Sequence, residues 1–132
     1  MTRGAAPDWA YTDIGDGEAI VLVHGLGTDS TAWNRVAPAL AEHHRVITVD
    51  LPGYSLRSVV DQVPHASDLA DGLDALLAGL GVHTAVFVGH SFGGATMLMT
   101  APRHPERGAG LVLLAPGGFR TGIDPLIPLM GP

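Results

Sequence analysis

Residues 89–93 read Gly-His-Ser-Phe-Gly, and a second glycine follows at 94. A serine hydroxyl there could act as a nucleophile, provided the backbone lifts it clear of its surroundings. The flanking residues allow this. Glycine on both sides suits a turn too tight for ordinary side chains. Ahead of it, Ala85-Val86-Phe87-Val88 is a short apolar run rich in strand formers. Behind it, Phe92 to Ala101 starts with small residues and continues with Met97, Leu98 and Met99, which predicts a buried helix. Ser91 would then sit on a strained strand-to-helix corner. The unpaired N–H groups and positive dipole end of that helix would face its hydroxyl.

The bulk properties narrow the chemistry. The chain has 132 residues, 46% hydrophobic and 15% charged, with a formal net charge of -6. That is enough for one domain with one core. All seven Lys+Arg are arginines. No basic face is available for nucleic acid or anionic lipid, and a Walker-type phosphate loop lacks its lysine. With no cysteine, disulfides, thiol catalysis and thiolate metal sites are closed off. The N-terminal stretch has no secretory apolar core, and no run is long enough to span a bilayer. The expectation is a cytoplasmic protein with no membrane partner.

The elements that would position Ser91 follow in order. Trp9 to Ile14 reads as an early antiparallel strand, closed by the turn Gly15-Asp16-Gly17. Ala19 to Val23 is a continuous apolar run that suits a central strand. After His24-Gly25-Leu26-Gly27 and the polar Thr28 to Thr31, a helix is expected to bury Trp33, Val36, Ala37, Leu40 and Ala41, with a kink or late start at Pro38. Arg45 to Leu51 is a strand ended by Pro52-Gly53. His65 to Leu80 is an amphipathic helix with Leu69, Leu73, Leu76 and Leu77 on one face. Pro102 and Pro105 should close the helix behind Ser91. Gly110 to Ala115 reads as a further buried strand, ending at Pro116-Gly117-Gly118. Alternating strands and helices predict an α/β fold with a mainly parallel sheet. Right-handed crossovers bring the loops at 24–27, 50–53, 91 and 116–118 to one edge.

In their order along the chain, His24-Gly25-Leu26-Gly27, Asp50-Leu51-Pro52-Gly53, Gly89-His90-Ser91-Phe92-Gly93-Gly94 and His104-Pro105-Glu106-Arg107 leading into Leu111-Val112-Leu113-Leu114 resemble the α/β-hydrolase superfamily. The resemblance implies that Ser91 is the nucleophile, forming an acyl-enzyme from a carboxylic ester or related acyl bond. It implies that the backbone N–H groups of Phe92 and Leu26 hold the oxyanion. His24, Gly25 and Gly27 would shape the oxyanion loop, Gly89, His90 and Gly93 the corner, and Asp50 the strand end. Each oxyanion donor of this kind contributes roughly 3–4 kcal/mol to lowering the barrier. No cofactor and no metal are implied, and the partner would be a small ester-like molecule. Trp33, Phe92 and Phe119 are candidates for an apolar acyl pocket, with core packing the competing reading.

Two departures stand out. Ser55 replaces a glycine that often follows the Asp50-Leu51-Pro52-Gly53 motif in the family. In addition, the family order is Ser, then acid, then His, yet only Glu106 and Asp124 as acids and His104 as histidine follow Ser91. His104 falls at the opposite sheet edge, and Asp124 is the candidate acid. The chain therefore resembles the N-terminal part of a single hydrolase domain, with its last ~14 residues as the start of a cap. As a short chain without base and acid it would be inactive or impaired. Two other readings stay open. One is a non-catalytic binding protein on the same fold, able to self-associate through an open sheet edge. The other is a dinucleotide-binding domain, with Val23 to Ser30 as a partial fingerprint and Asp50 as the ribose partner.

Overall fold

The central strand of the sheet carries no polar residue. Ala19–Val23 (β2) is apolar throughout and buried at all five positions. A computed structural model describes residues 9–58 and 60–116. In it, β1 (Tyr11–Ile14), β2, β3 (Arg45–Val49), β4 (Ala85–His90) and β5 (Gly108–Leu114) form one sheet in the order β1-β3-β2-β4-β5. Only β1 is antiparallel, paired with β3; the other pairings are parallel. This is the expected α/β architecture, a mainly parallel sheet with flanking helices.

Successive side chains of a strand face opposite ways, and β2 feeds two cores. Val21 and Val23 pack with Ile47, Val49, Phe87 and the leucines of α2 (Ala66–Gly79), together with Met97 of α3 (Phe92–Arg103). Ile20 and Leu22 pack with Val46, Trp33 and Ala37 on the other face. Leu69, Leu73 and Leu77 recur at helical spacing and are buried. Each contributes roughly 1.5–3 kcal/mol relative to exposure. Gly72 sits mid-helix in α2, where it weakens helix propensity. A Cβ there would lie 2.9 Å from the Trp9 indole nitrogen, so the missing side chain is the seat for that ring. At the start of α2, the Asp68 carboxylate accepts the backbone N–H of His65 at 3.1 Å.

Three expectations need correction. The single helix expected over Trp33 to Ala41 is a 3-10 turn, Ser30–Trp33, followed by the one-turn helix α1, Ala37–Leu40. Pro38 occupies the first turn of α1, where its missing N–H is tolerated. Val36, expected on the buried face, is exposed. Pro102 does not close α3, which runs through it to Arg103. The lost N–H falls in the last turn, and the backbone N–H of His104 still reaches the Thr100 carbonyl at 3.0 Å. Finally, Gly108–Leu114 is not buried. It pairs only with β4, at the edge of the described sheet, and Leu111, Val112 and Leu114 are exposed. Trp33 lies in the core against α1, which favours core packing over a pocket wall; its indole N–H finds no acceptor among the described residues. Phe119 lies outside the described residues.

Ion pairs tie the helices at the edge away from Ser91. Arg103 grips Asp71 through two hydrogen bonds of 3.0 and 2.7 Å, and Arg107 reaches Asp74 at 2.8 Å. His104 lies between, 2.8 Å from Asp71 and 3.4 Å from Asp74. The hydrogen bonds from Arg103 and then His104 hold the Asp71 carboxyl at about 2, against an ordinary 3.8. A depressed carboxylate stabilises the fold above its unfolded value and loses that contribution as pH falls through its folded value. The gap in thermal midpoint between the wild type and Asp71→Asn should therefore be full above roughly pH 4, narrow between about 4 and 2, and close near 2. Thermal melts across that range check it.

Candidate functional site

The loops after β2, β3 and β4 meet at one sheet edge because those strands run parallel and start in register. At the end of β4 the chain turns at Ser91, whose φ of 53° and ψ of -115° lie outside the ordinary regions for a side-chain-bearing residue. It is one of two non-glycine residues with positive φ among those described. Such strain persists only where the surroundings fix it, and here they do. A Cβ on Gly93 would lie 2.4 Å from the carbonyl oxygens of both Val23 and His24, and one on Gly89 would lie 2.6 Å from the Gly93 carbonyl. Glycine at 89 and 93 thus lets α3 press directly against the ends of β2 and β4.

The N–H groups at the corner can be accounted for one by one. That of Ser91 donates to the Leu114 carbonyl of β5 at 3.0 Å and is spent. That of Ala95 donates to the Ser91 carbonyl at 3.1 Å, the first turn of α3. Phe92 opens the helix, so its N–H has no intrahelical partner. Ser91 itself makes no side-chain capping bond to α3 and is half-buried.

The loop after β2 lies against this corner. A Cβ on Gly25 would come within 3.2 Å of the Ser91 Cβ and 3.1 Å of the His90 Nδ1. His24 is fully buried, and both of its ring nitrogens are engaged. The Leu51 backbone N–H, which can only donate, reaches Nε2 at 3.0 Å. The ring hydrogen must then sit on Nδ1, which donates to the Gly25 carbonyl at 2.7 Å. This fixes the Gly25–Leu26 peptide plane. No cis peptide is present among the described residues, and in a trans peptide the N–H points opposite to the C=O. The Leu26 N–H is therefore turned away from the His24 ring. Gly27 completes the loop at φ 77°, with nothing within 4 Å of a Cβ built there.

Asp50, directly after β3, is nearly buried, at 3% exposure. Its carboxylate accepts the Ser30 N–H at 2.9 Å, the Ser30 hydroxyl at 3.0 Å and the Ser55 hydroxyl at 2.8 Å. A buried carboxylate with three donors is stabilised where it stands. It is not free to take a ribose, which weighs against the dinucleotide reading. Ser55, the departure from the family pattern, is thus built into this network. Sequence reasoning missed Tyr54: its ring stacks on Phe92 at 4.6 Å and its hydroxyl donates to the Pro64 carbonyl at 2.9 Å. An aromatic at 54 facing another across the motifs was the available signal.

The other candidates fall elsewhere. His104 is held by Asp71 and Asp74 at the far edge, as expected. Asp74, His104 and Glu106 offer ligand atoms within 4.8 Å of one another, but Arg107 already occupies Asp74 and supplies the positive charge a cation would bring. His90 ends β4 and is exposed beside the corner. Asp124 lies outside the described residues.

The profile of the alpha/beta hydrolase fold family matches residues 18–129. The chain belongs to that family. A 2-hydroxy-6-oxo-6-phenylhexa-2,4-dienoate hydrolase of Comamonas testosteroni is 32% identical over 126 residues, which are 92% of this chain and 44% of that protein. The crystal structure of an alpha/beta hydrolase fold protein from Burkholderia ambifaria superposes with a TM-score of 0.81 at 30% identity, over 92% of this chain and 45% of that one. A thermophilic esterase from Thermogutta terrifontis does so at 0.78 and 33%, over 88% and 42%. The chain thus spans less than half the length of these relatives. No helix among the described residues is long and apolar enough to cross a membrane.

The glycine contacts make a graded prediction. Gly93→Ala forces a methyl into two carbonyls and should destabilise by about 3 kcal/mol, the upper end for overpacking. Gly27→Ala meets no atom but keeps a positive φ, and should lose only roughly 1–2 kcal/mol. Denaturant unfolding of the two variants checks the order.

Proposed function

We propose that the chain carries the nucleophile and oxyanion half of a serine hydrolase acting on carboxylic esters or related acyl bonds. Ser91 attacks the substrate carbonyl and forms an acyl-enzyme. The N–H groups of Phe92 and Leu26 receive the negative charge that grows on the carbonyl oxygen. The observation that carries this reading is the Ser91 corner, a strained serine at the head of α3 with the Gly25 backbone packed against it. Donors held in place before reaction are worth most when they need not reorganise as charge develops. The hydrolase among the relatives supports hydrolysis and the esterase supports an ester bond, and the substrate in this reading is a small molecule.

The histidine base and its acid lie beyond the described residues in this reading. Among those described, His24 has both nitrogens occupied and His104 is engaged across the sheet. A serine hydroxyl without a base is a weak nucleophile. The 132-residue chain alone should therefore acylate slowly, with only the residual catalysis of oxyanion hole and binding. Residues 1–132 would be part of one domain rather than several.

The exposed apolar edge of β5 favours a second reading, a non-catalytic protein that associates through that strand. A fluorophosphonate probe separates the two. Phosphonylation of the folded protein at Ser91, located by mass spectrometry and lost in Ser91→Ala, is the expected result. Labelling is expected to be slow without the base; other serines of the folded protein labelled as fast as Ser91, or a rate unchanged in Ser91→Ala, would overturn the hydrolase reading in favour of the binding one.

A further inference from the structure

We infer that the loop from Asp50 to Ser58 is a clamp that sets the spacing between the Leu26 and Phe92 amides, and that Ser55 is the positioning residue that holds it in shape. The inference rests on the reading of Ser91 as the nucleophile.

The loop reaches both sides of the site. Toward the segment after β2 it makes three ties. The Leu51 N–H holds His24 at 3.0 Å, and through that ring the Gly25–Leu26 peptide. The Leu56 N–H donates to the Thr28 carbonyl at 3.1 Å, just past Gly27. The Asp50 carboxylate takes both donors of Ser30. Toward the other side, Tyr54 stacks on Phe92, whose N–H is the second donor. One short loop therefore spans the two elements whose separation an oxyanion would measure.

Ser55 is what closes the loop on itself. Its hydroxyl donates to Asp50 at 2.8 Å and accepts the Arg57 N–H at 3.1 Å. The Ser58 N–H returns to the Ser55 carbonyl at 3.3 Å. Without the hydroxyl, a nearly buried carboxylate loses one of three donors and residues 54–57 lose their link to the strand end. A displacement of either amide by even a fraction of the hydrogen-bond length weakens binding of a tetrahedral oxyanion.

Phenylboronic acid tests this without needing a base. The Ser91 oxygen forms a bond to boron, its proton goes to solvent, and boron becomes a tetrahedral anion that keeps both hydroxyls. Adduct formation is read by boron NMR well below the thermal midpoint of each variant. Ser55→Ala should weaken the adduct about tenfold, and Ser55→Thr, which restores the hydroxyl, should recover most of that. A merely structural role would lower the midpoint of Ser55→Ala and leave the affinity of the folded protein unchanged. That result, or a Thr variant no better than Ala, overturns the clamp alone. A wild type that binds no more tightly than Ser91→Ala overturns the nucleophile reading and the clamp with it.

Discussion

Three backbone segments meet at the site with no space for a single methyl between them. The α-carbon of Gly93 stands where any side chain would strike the carbonyls that end β2, and Gly89 faces the same helix from β4. This contact is a packing constraint before it is a chemical one. It requires α3 to start immediately after β4, and it forces the one-residue corner whose backbone strain Ser91 absorbs. Interiors packed at crystal density transmit such constraints rather than spreading them. The position and half-exposure of Ser91 follow from the absence of side chains at Gly25, Gly89 and Gly93.

Around that dry contact lies a second, polar shell. His24 and Asp50 are both nearly excluded from solvent, and every polar atom of theirs described here that forms a bond does so with backbone or hydroxyl groups of the adjoining loops. A buried polar group left unsatisfied costs about 1–3 kcal/mol. Each of these bonds therefore also penalises any loop arrangement that breaks it. The glycines allow close approach, and the polar pair selects one arrangement among those the glycines permit.

Much of this was legible in the chain. The strand runs, the Gly-His-Ser-Phe-Gly corner and the edge at which the loops gather follow from local pattern and crossover handedness. What sequence could not supply was the consequence of tertiary neighbours. Leu111-Val112-Leu113-Leu114 is as apolar as β2, and the sheet order shows that, among the described residues, one has partners on both sides and the other on one. Pro102 reads as a stop, yet its place in the final turn of α3 costs the helix little. Trp33 shares its helical spacing with a longer helix than the one that forms. Ser55 looks like a loss of glycine, and only the position of Asp50 shows what its hydroxyl does.

The place of β2 in the sheet also bears on how the chain can assemble during synthesis. Its neighbours β3 and β4 come from residues 45–49 and 85–90. A nascent chain therefore carries an apolar strand open on one side until residue 90 has emerged, long after its first partner is available. Parallel pairing across such separations is slow because the intervening loop must be ordered first. Between residues 49 and 85 the open side of β2 is thus one place where intermolecular pairing can compete with folding.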